Sequence, residues 1–296
     1  MSVMAQLRNV MLVDPPFTHF GPVDAAYPLI ISIPHAGRCY PHAMHALARL
    51  PEARLRPLED RYADALAATA FASGVQGIVA NTARAWIDLN RDAQECDPGL
   101  IDMPYGATPL VSAKVRGGLG LIPRRIMGGG DIWRHRITAT DVANRIAQHH
   151  KPYHDALDEL LTRVWARFGV VVLLDIHSMP PLPENGNGRP PQIVIGDSFG
   201  RTAHDRFTAR AAAIAEQHGF VTALNHPYAG GHILARHAQP QDGRHAIQIE
   251  VDRGLYLDAA LDQPSERLET VQRFIAQLAF GLIDEALERP LAIAAE

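Results

Sequence analysis

Apolar residues in this chain come in short unbroken runs that stop at polar residues, and the runs alternate with stretches of helical spacing. The clearest is Val170-Val171-Val172-Leu173-Leu174, which continues into Asp175-Ile176-His177-Ser178-Met179-Pro180. Branched aliphatic residues in a row without alternation predict a strand covered on both faces. Pro28-Leu29-Ile30-Ile31-Ser32-Ile33-Pro34 predicts a second, and it too runs into a histidine, His35. Further strands are expected at residues 77–80, 85–92, 192–195, 220–224 and 245–251. In the last, alternation puts Ile247, Ile249 and Val251 on one face and Gln248 with Glu250 on the other.

Helical spacing is found at residues 58–68, with Gly74 as a stop beyond it, and at 201–218. A longer helix should begin with Thr140 or Asp141 as cap, run through Val142, Ile146, Tyr153, Leu157, Leu161 and Val164, kink at Pro152, and close at Gly169. Residues 265–288 predict an amphipathic closing helix. Residues 1–27, broken by Pro15-Pro16 and Gly21-Pro22, read as an irregular lead-in, and 180–191 as a Pro/Gly/Asn loop. The Gly- and Pro-rich stretch 93–131 has the character of a functional loop. With no repeat and no linker, the expectation is one α/β hydrolytic domain over 1–296, a mixed, mostly parallel sheet with helices on both faces.

Composition narrows the function. An apolar content of 47% with 20% charged residues suits a globular chain with a large core, and a net charge of −4 offers no footprint for nucleic acid or an anionic membrane. Cys39 and Cys96 are too few for a disulfide scaffold, and Met1 to Arg8 lack the basic segment and long apolar run of a secretory signal. No apolar window approaches the roughly 20 residues of a membrane span. The expected setting is the cytoplasm, and nothing in the sequence fixes an oligomeric state.

The chemistry gathers where the strands end. In open α/β sheets ligands bind outside the carboxyl ends of strands, where His35 and His177 are placed. Two imidazoles and a carboxylate are what a catalytic zinc ion requires, with a fourth position left to water. The carboxylate is expected from Glu59-Asp60, leaving Glu250 free as the base that deprotonates the water. Asp175, two residues before His177 on the same strand face, is placed to orient an imidazole.

Pro34-His35-Ala36-Gly37, the Asp60/Asp64 pair, Asp88-Leu89-Asn90-Arg91, Asp175-Ile176-His177-Ser178-Met179, Asn225 with Gly230-Gly231-His232-Ile233, and the segment from His245 to Glu250 together resemble the N-formylglutamate amidohydrolase family. The resemblance spans about residues 28–258 and rests on the set of blocks in their order. It implies a zinc-carboxypeptidase-like (phosphorylase/hydrolase-like) architecture and hydrolysis of N-formyl-L-glutamate to formate and glutamate, a late step of histidine breakdown. It also implies one Zn2+ or another divalent ion per chain on His35, His177 and Asp60, which matches its block better than Glu59, with Glu250 as base. The chain departs from zinc carboxypeptidases at Arg38, where their His-x-x-Glu motif carries glutamate. An acidic N-acyl amino acid needs cations, which Arg91 with Asn90, and more weakly Arg84, can supply. The plain alternative for Arg91 is a surface ion pair with Asp88 or Asp92. Gly230 and Gly231 lie in a segment suited to closing over a substrate.

Two rival readings compete. Gly196-Asp197-Ser198-Phe199-Gly200 matches the nucleophile elbow of serine hydrolases, with Asp242 and His245 as later partners, but that leaves His35 and His177 without a task. A non-catalytic metal- or small-acid-binding protein needs no Glu250. His150 and His154, one helical turn apart, lack the glutamate of H-E-x-x-H and read as a solvated face.

Overall fold

The computed structural model describes residues 15–104, 106–126, 128–183 and 188–288. The N-terminal segment behind the secretory-signal reading, and residues 184–187 of the expected 180–191 loop, lie outside the described residues. The main sheet has seven strands: β1 (Phe17–Phe20), β2 (Leu29–Ile33), β3 (Gln76–Ala80), β4 (Val171–Met179), β5 (Ile193–Gly196), β6 (Thr222–Leu224) and β7 (Arg244–Asp252). Their order is β1-β3-β2-β4-β7-β5-β6. β3, β2, β4 and β7 run parallel. β1 is antiparallel to β3 and β5 to β7, while β6 is parallel to β5. The mixed, mostly parallel α/β architecture is therefore the expected one.

The period-two alternation of side chains sorts the strands into two cores. Ile31, Val172, Leu174, Ile176 and Ile249 pack under the helices Asp205–Gln217 and Leu268–Leu287. Ile30, Leu173 and Ala246 face the opposite way, onto Tyr153, Leu157 and Val164 of the helix Lys151–Phe168. Along this second face the strands turn polar toward their carboxyl ends: Ser32 on β2, Asp175 and His177 on β4, Gln248 and Glu250 on β7, all buried. A buried aliphatic at each position would contribute about 1.5–3 kcal/mol, so polar groups there are retained for another reason.

Several local expectations shift. β1 lies inside the expected lead-in, where Thr18, His19 and Phe20 are exposed and leave no apolar signature. Residues 85–92 form turns rather than a strand, with Asn90 N donating to Asp88 Oδ1 at 2.9 Å, and 85–91 are buried with Arg145, His150 and His154 of the helical segment 139–168 against them. The helix expected at 58–68 is broken by Tyr62, whose φ of 57° is left-handed, leaving Ala63–Leu66 and Ala68–Ala72 as short pieces. The helix expected from 140 starts on Thr138, whose side chain accepts from Asp141 N at 3.1 Å. Instead of a sharp kink at Pro152 it has a widened π turn, Ile146–His150, which accommodates the missing proline N–H, and it ends at Gly169 with φ 73°. The 93–131 stretch contains the helix Ala113–Arg116, capped by Ser112. Among the described residues no helix is long and apolar enough to cross a membrane.

Candidate metal centre and substrate cleft

β2 and β4 end side by side, which brings the two site histidines together with ring centroids 4.7 Å apart. Each ring is held from behind by a buried carboxylate. His35 Nε2 pairs with Asp88 Oδ1 at 2.7 Å, and His177 Nε2 with Asp175 Oδ2 at 2.9 Å. The carboxylates are themselves fixed: Ser32 Oγ donates to Asp175 at 2.7 Å, and Arg84 Nε donates to Asp88 at 3.0 Å. Both rings therefore turn Nδ1 toward one oxygen, Asp60 Oδ2, at 3.5 Å from His35 and 2.9 Å from His177. Asp60 is brought there because its backbone N–H donates to the carbonyl of His35 at 2.9 Å, and Arg253 Nη2 holds its other oxygen at 3.0 Å. Glu59 points elsewhere, to Tyr40 Oη and Arg61 Nη1.

The donor set fits a divalent ion. One ligand atom each from His35, Asp60 and His177 lies within 4.8 Å of the others, and all three residues are buried. His35 Nδ1 has no hydrogen-bond partner, an orphaned buried nitrogen aimed at the same point. Two imidazoles backed by carboxylates plus one carboxylate oxygen form the three-ligand pattern of catalytic zinc sites. Electrostatics agree with a site shaped for positive charge. Burial alone would raise the Asp60 pKa, but hydrogen bonds from His177 and His35 hold it well below the usual range. Burial works against protonation of His177, and Asp175 and Asp60 outweigh it.

Glu250 is the register partner of His177 across β4 and β7. Burial, reinforced by Asp60 and opposed by His177 and Arg84, pushes its pKa up to about 7. Gln248 Nε2 donates to Glu250 Oε1 at 2.9 Å. The centre opens into a cleft of about 490 Å³ lined by Arg84, Arg91, Lys114, Tyr228, Gly230 and Gly231 among others.

The expected substrate residues share the cleft but differ in what they do there. Arg91 is 4% exposed, and the ion pair with Asp88 is present but buried rather than at the surface, Nη2 to Oδ2 at 3.7 Å. Its Nε and Nη1 donate to Leu119 O at 2.8 Å and Asn90 O at 2.6 Å, and Nη2 is buried without a hydrogen-bond partner. Arg84 instead places Nε and Nη2 on Asp88 Oδ2, which commits its charge to orienting the carboxylate behind His35. Asn90 is a brace: its Oδ1 accepts from Ile233 N at 2.9 Å, and Nδ2 lies 3.2 Å from His177 Nε2. That brace explains Gly231, because a Cβ there would meet Asn90 Oδ1 at 2.3 Å. Sequence reasoning overlooked Asp88 as the counterpart of Asp175; both stand two residues from a site side chain, and only the fold shows that they serve different rings. It also overlooked Lys114, hidden in the Gly-rich stretch.

The other two clusters resolve differently. Among the described residues no hydrogen bond or ion pair joins Ser198, Asp242 and His245; the His245 ring packs on Phe207 at 4.6 Å. His150 and His154, expected on a solvated face, are buried. His150 Nε2 pairs with Arg91 O at 2.8 Å and His154 Nε2 with Leu89 O at 2.9 Å, so the two rings clamp the loop that carries Asp88, Asn90 and Arg91. Together with His232 they also approach closely enough to suggest a metal group. His154 Nδ1, however, already pairs with His237 Nε2 at 3.0 Å, so neither of its nitrogens is left for an ion.

Comparison with known proteins points the same way as the site. A family model described as N-formylglutamate amidohydrolase matches residues 27–257. An N-formylglutamate deformylase of Pseudomonas aeruginosa is 29% identical over 268 residues, covering 88% of this chain and 95% of that protein. One of Pseudomonas putida is 28% identical over 235 residues, covering 78% and 82%. The crystal structure of N-formylglutamate amidohydrolase from Ralstonia eutropha JMP134 superposes with a TM-score of 0.82 at 30% identity, covering 92% of this chain and 97% of that one.

Proposed function

The chain belongs to the N-formylglutamate amidohydrolase family, and from that premise we propose that it cleaves N-formyl-L-glutamate with water to formate and L-glutamate, using a divalent ion, zinc first among them. It is a hydrolase acting on an amide. The observation that carries the mechanism is the convergence of His35, His177 and Asp60 on one point beside buried Glu250. His35, Asp60 and His177 hold the ion, and Asp88 and Asp175 fix the two rings so that the ligand nitrogens face inward. An ion held there supplies Lewis-acid polarisation of a carbonyl and lowers the pKa of a water from about 15.7 toward 7.

The chain's own residues do the rest. With a pKa pushed up to about 7, Glu250 is a base matched to neutral pH. It takes a proton as water adds to the formyl carbon and returns it to the nitrogen as the C–N bond breaks, so glutamate leaves as a neutral amine and formate as the acid product. Arg91 Nη2, which lies 3.7 Å from Asp88 Oδ2 and has no hydrogen-bond partner among the described residues, meets a substrate carboxylate. Asn90 and the turn Gly230-Gly231 keep the wall of the cleft in place. This activity belongs with cytoplasmic histidine breakdown. Incubating zinc-loaded protein with a panel of N-acyl amino acids and following amine release tests the reading. N-formylglutamate should be the fastest member; turnover of another member with N-formylglutamate inert overturns the substrate, and an inert panel overturns the activity.

A further inference from the structure

The cations on the cleft wall are unequally committed. Arg84 is held by Asp88 through two nitrogens. Arg253 is used up by Ser178 Oγ at 3.0 Å, Pro57 O at 3.2 Å and Asp60 Oδ1 at 3.0 Å. Arg91 is buried and lines the cleft, with Nη2 3.7 Å from Asp88 Oδ2 and no hydrogen-bond partner for it among the described residues. Lys114 is different. It is carried by the helix Ala113–Arg116, its side chain is exposed yet lines the cleft, and no hydrogen bond or ion pair to it is found among the described residues. Partial burial, with Arg91 and Arg84 nearby, lowers its pKa. Asp88 and Glu250 offset those cations only from a distance, without a direct ion pair to Lys114, so a negative group arriving beside the amine stabilises its charge.

We propose that Lys114 is a specificity-determining residue that binds the side-chain carboxylate of the substrate and makes the cleft selective for N-acyl amino dicarboxylates over N-acyl amino acids with neutral side chains. The inference rests on the amidohydrolase reading and adds to it which end of the substrate is read, and by what. The α-carboxylate of such a substrate is attached next to the scissile nitrogen, so it stays close to the metal ligands, within the domain of buried Arg91. The side-chain carboxylate extends away from the reacting carbon toward the mouth, where the exposed Lys114 stands. A neutral side chain leaves the Lys114 ammonium without a directly paired anion, so a dicarboxylate gains an attraction that the neutral substrate lacks.

The test compares N-formylglutamate with N-formylglutamine, which has nearly the same shape and lacks the second charge. The ratio of their kcat/KM values is measured for the unaltered protein, Lys114→Met and Lys114→Arg. Losing one charged hydrogen bond should lower the ratio about 10- to 100-fold in Lys114→Met, and Lys114→Arg should recover most of it. Because Lys114 is exposed, the melting temperature should stay the same. A ratio unchanged in Lys114→Met overturns the proposal while leaving the amidohydrolase reading intact. If the unaltered protein hydrolyses neither compound, that reading fails, and the same ratio taken from dissociation constants decides the Lys114 assignment: a smaller preference in Lys114→Met supports it, an equal one refutes it.

Discussion

Replacing Glu250 with glutamine separates the proposed base from the proposed metal ligands at almost constant shape. Its Oε1 accepts from Gln248 Nε2 at 2.9 Å, and a glutamine carbonyl oxygen can accept the same bond, so packing on β7 is preserved. Burial already pushes the carboxyl toward its neutral form, to about 7, which means that the folded state bears a cost for ionising it; the amide removes that cost. Stability should therefore hold or rise slightly. Chemistry should not. A positioned general base contributes about 10²- to 10⁴-fold, equivalent to roughly 2.7–5.4 kcal/mol of barrier, so kcat for formate release from N-formylglutamate should fall by that factor. His35, Asp60 and His177 are untouched, so bound zinc, measured by elemental analysis, should remain at the level of the unaltered protein. Formate release within about twofold of the unaltered rate would remove Glu250 from the mechanism. Loss of zinc together with activity would show that Glu250 serves as a ligand instead.

Three further expectations follow from the same geometry. Arg91→Met should raise KM for N-formylglutamate by about 10-fold or more while changing kcat less, because it removes a charged donor to the substrate; an unchanged KM refutes the contact. Ser198→Ala should leave formate release within about twofold, and a serine-reactive phosphonate should not inhibit, since among the described residues no hydrogen bond or ion pair joins Ser198 to Asp242 or His245 and the His245 ring packs on Phe207 instead; loss of turnover in either experiment would restore the serine-hydrolase alternative. Acid should destabilise the fold before the carboxylates titrate. Burial lowers His149 and His245 to about 4 and His237 to about 3, so between pH 6.5 and those values the unfolded chain binds protons that the folded chain cannot. Each adds a loss of up to about 1.4 kcal/mol per pH unit as pH falls, opposed by groups whose pKa is raised, Glu250 to about 7 and also His177, Glu59 and Asp252. The urea midpoint should drop between pH 7 and pH 5; a midpoint that stays level or rises contradicts the neutral buried imidazoles.

The parts of this protein legible in its sequence are those set by local pattern. Unbroken aliphatic runs mark β2 and β4, and a histidine at the end of each run stands out because the run stops there. Gln248 and Glu250 show in the alternation of β7. What escaped depends on residues far apart in the chain. His150 and His154 look like a polar helix face until the loop at 89–91 is laid against them, where they pair with its carbonyls. Residues 85–92 mimic a strand because Arg145, His150 and His154 of the helical segment 139–168 cover them, not because a sheet does. Arg84 looks like a free cation until Asp88 accepts it. Asp60 is preferred to Glu59 in the sequence only through the resemblance; the physical difference, the hydrogen bond from Asp60 N to His35 O and the pairing of Glu59 with Tyr40 and Arg61, appears only in the fold.

The proposed role of His35, Asp60 and His177 is to hold the ion on which hydrolysis depends. It is tested most directly by stripping the protein with a chelator, adding zinc back in known amounts, and following formate release from N-formylglutamate. Activity should be lost on stripping and return in proportion to zinc, reaching a plateau at about one equivalent per chain, with His177→Ala showing no such return. Full turnover by the stripped protein, or a full return in His177→Ala, would contradict the account.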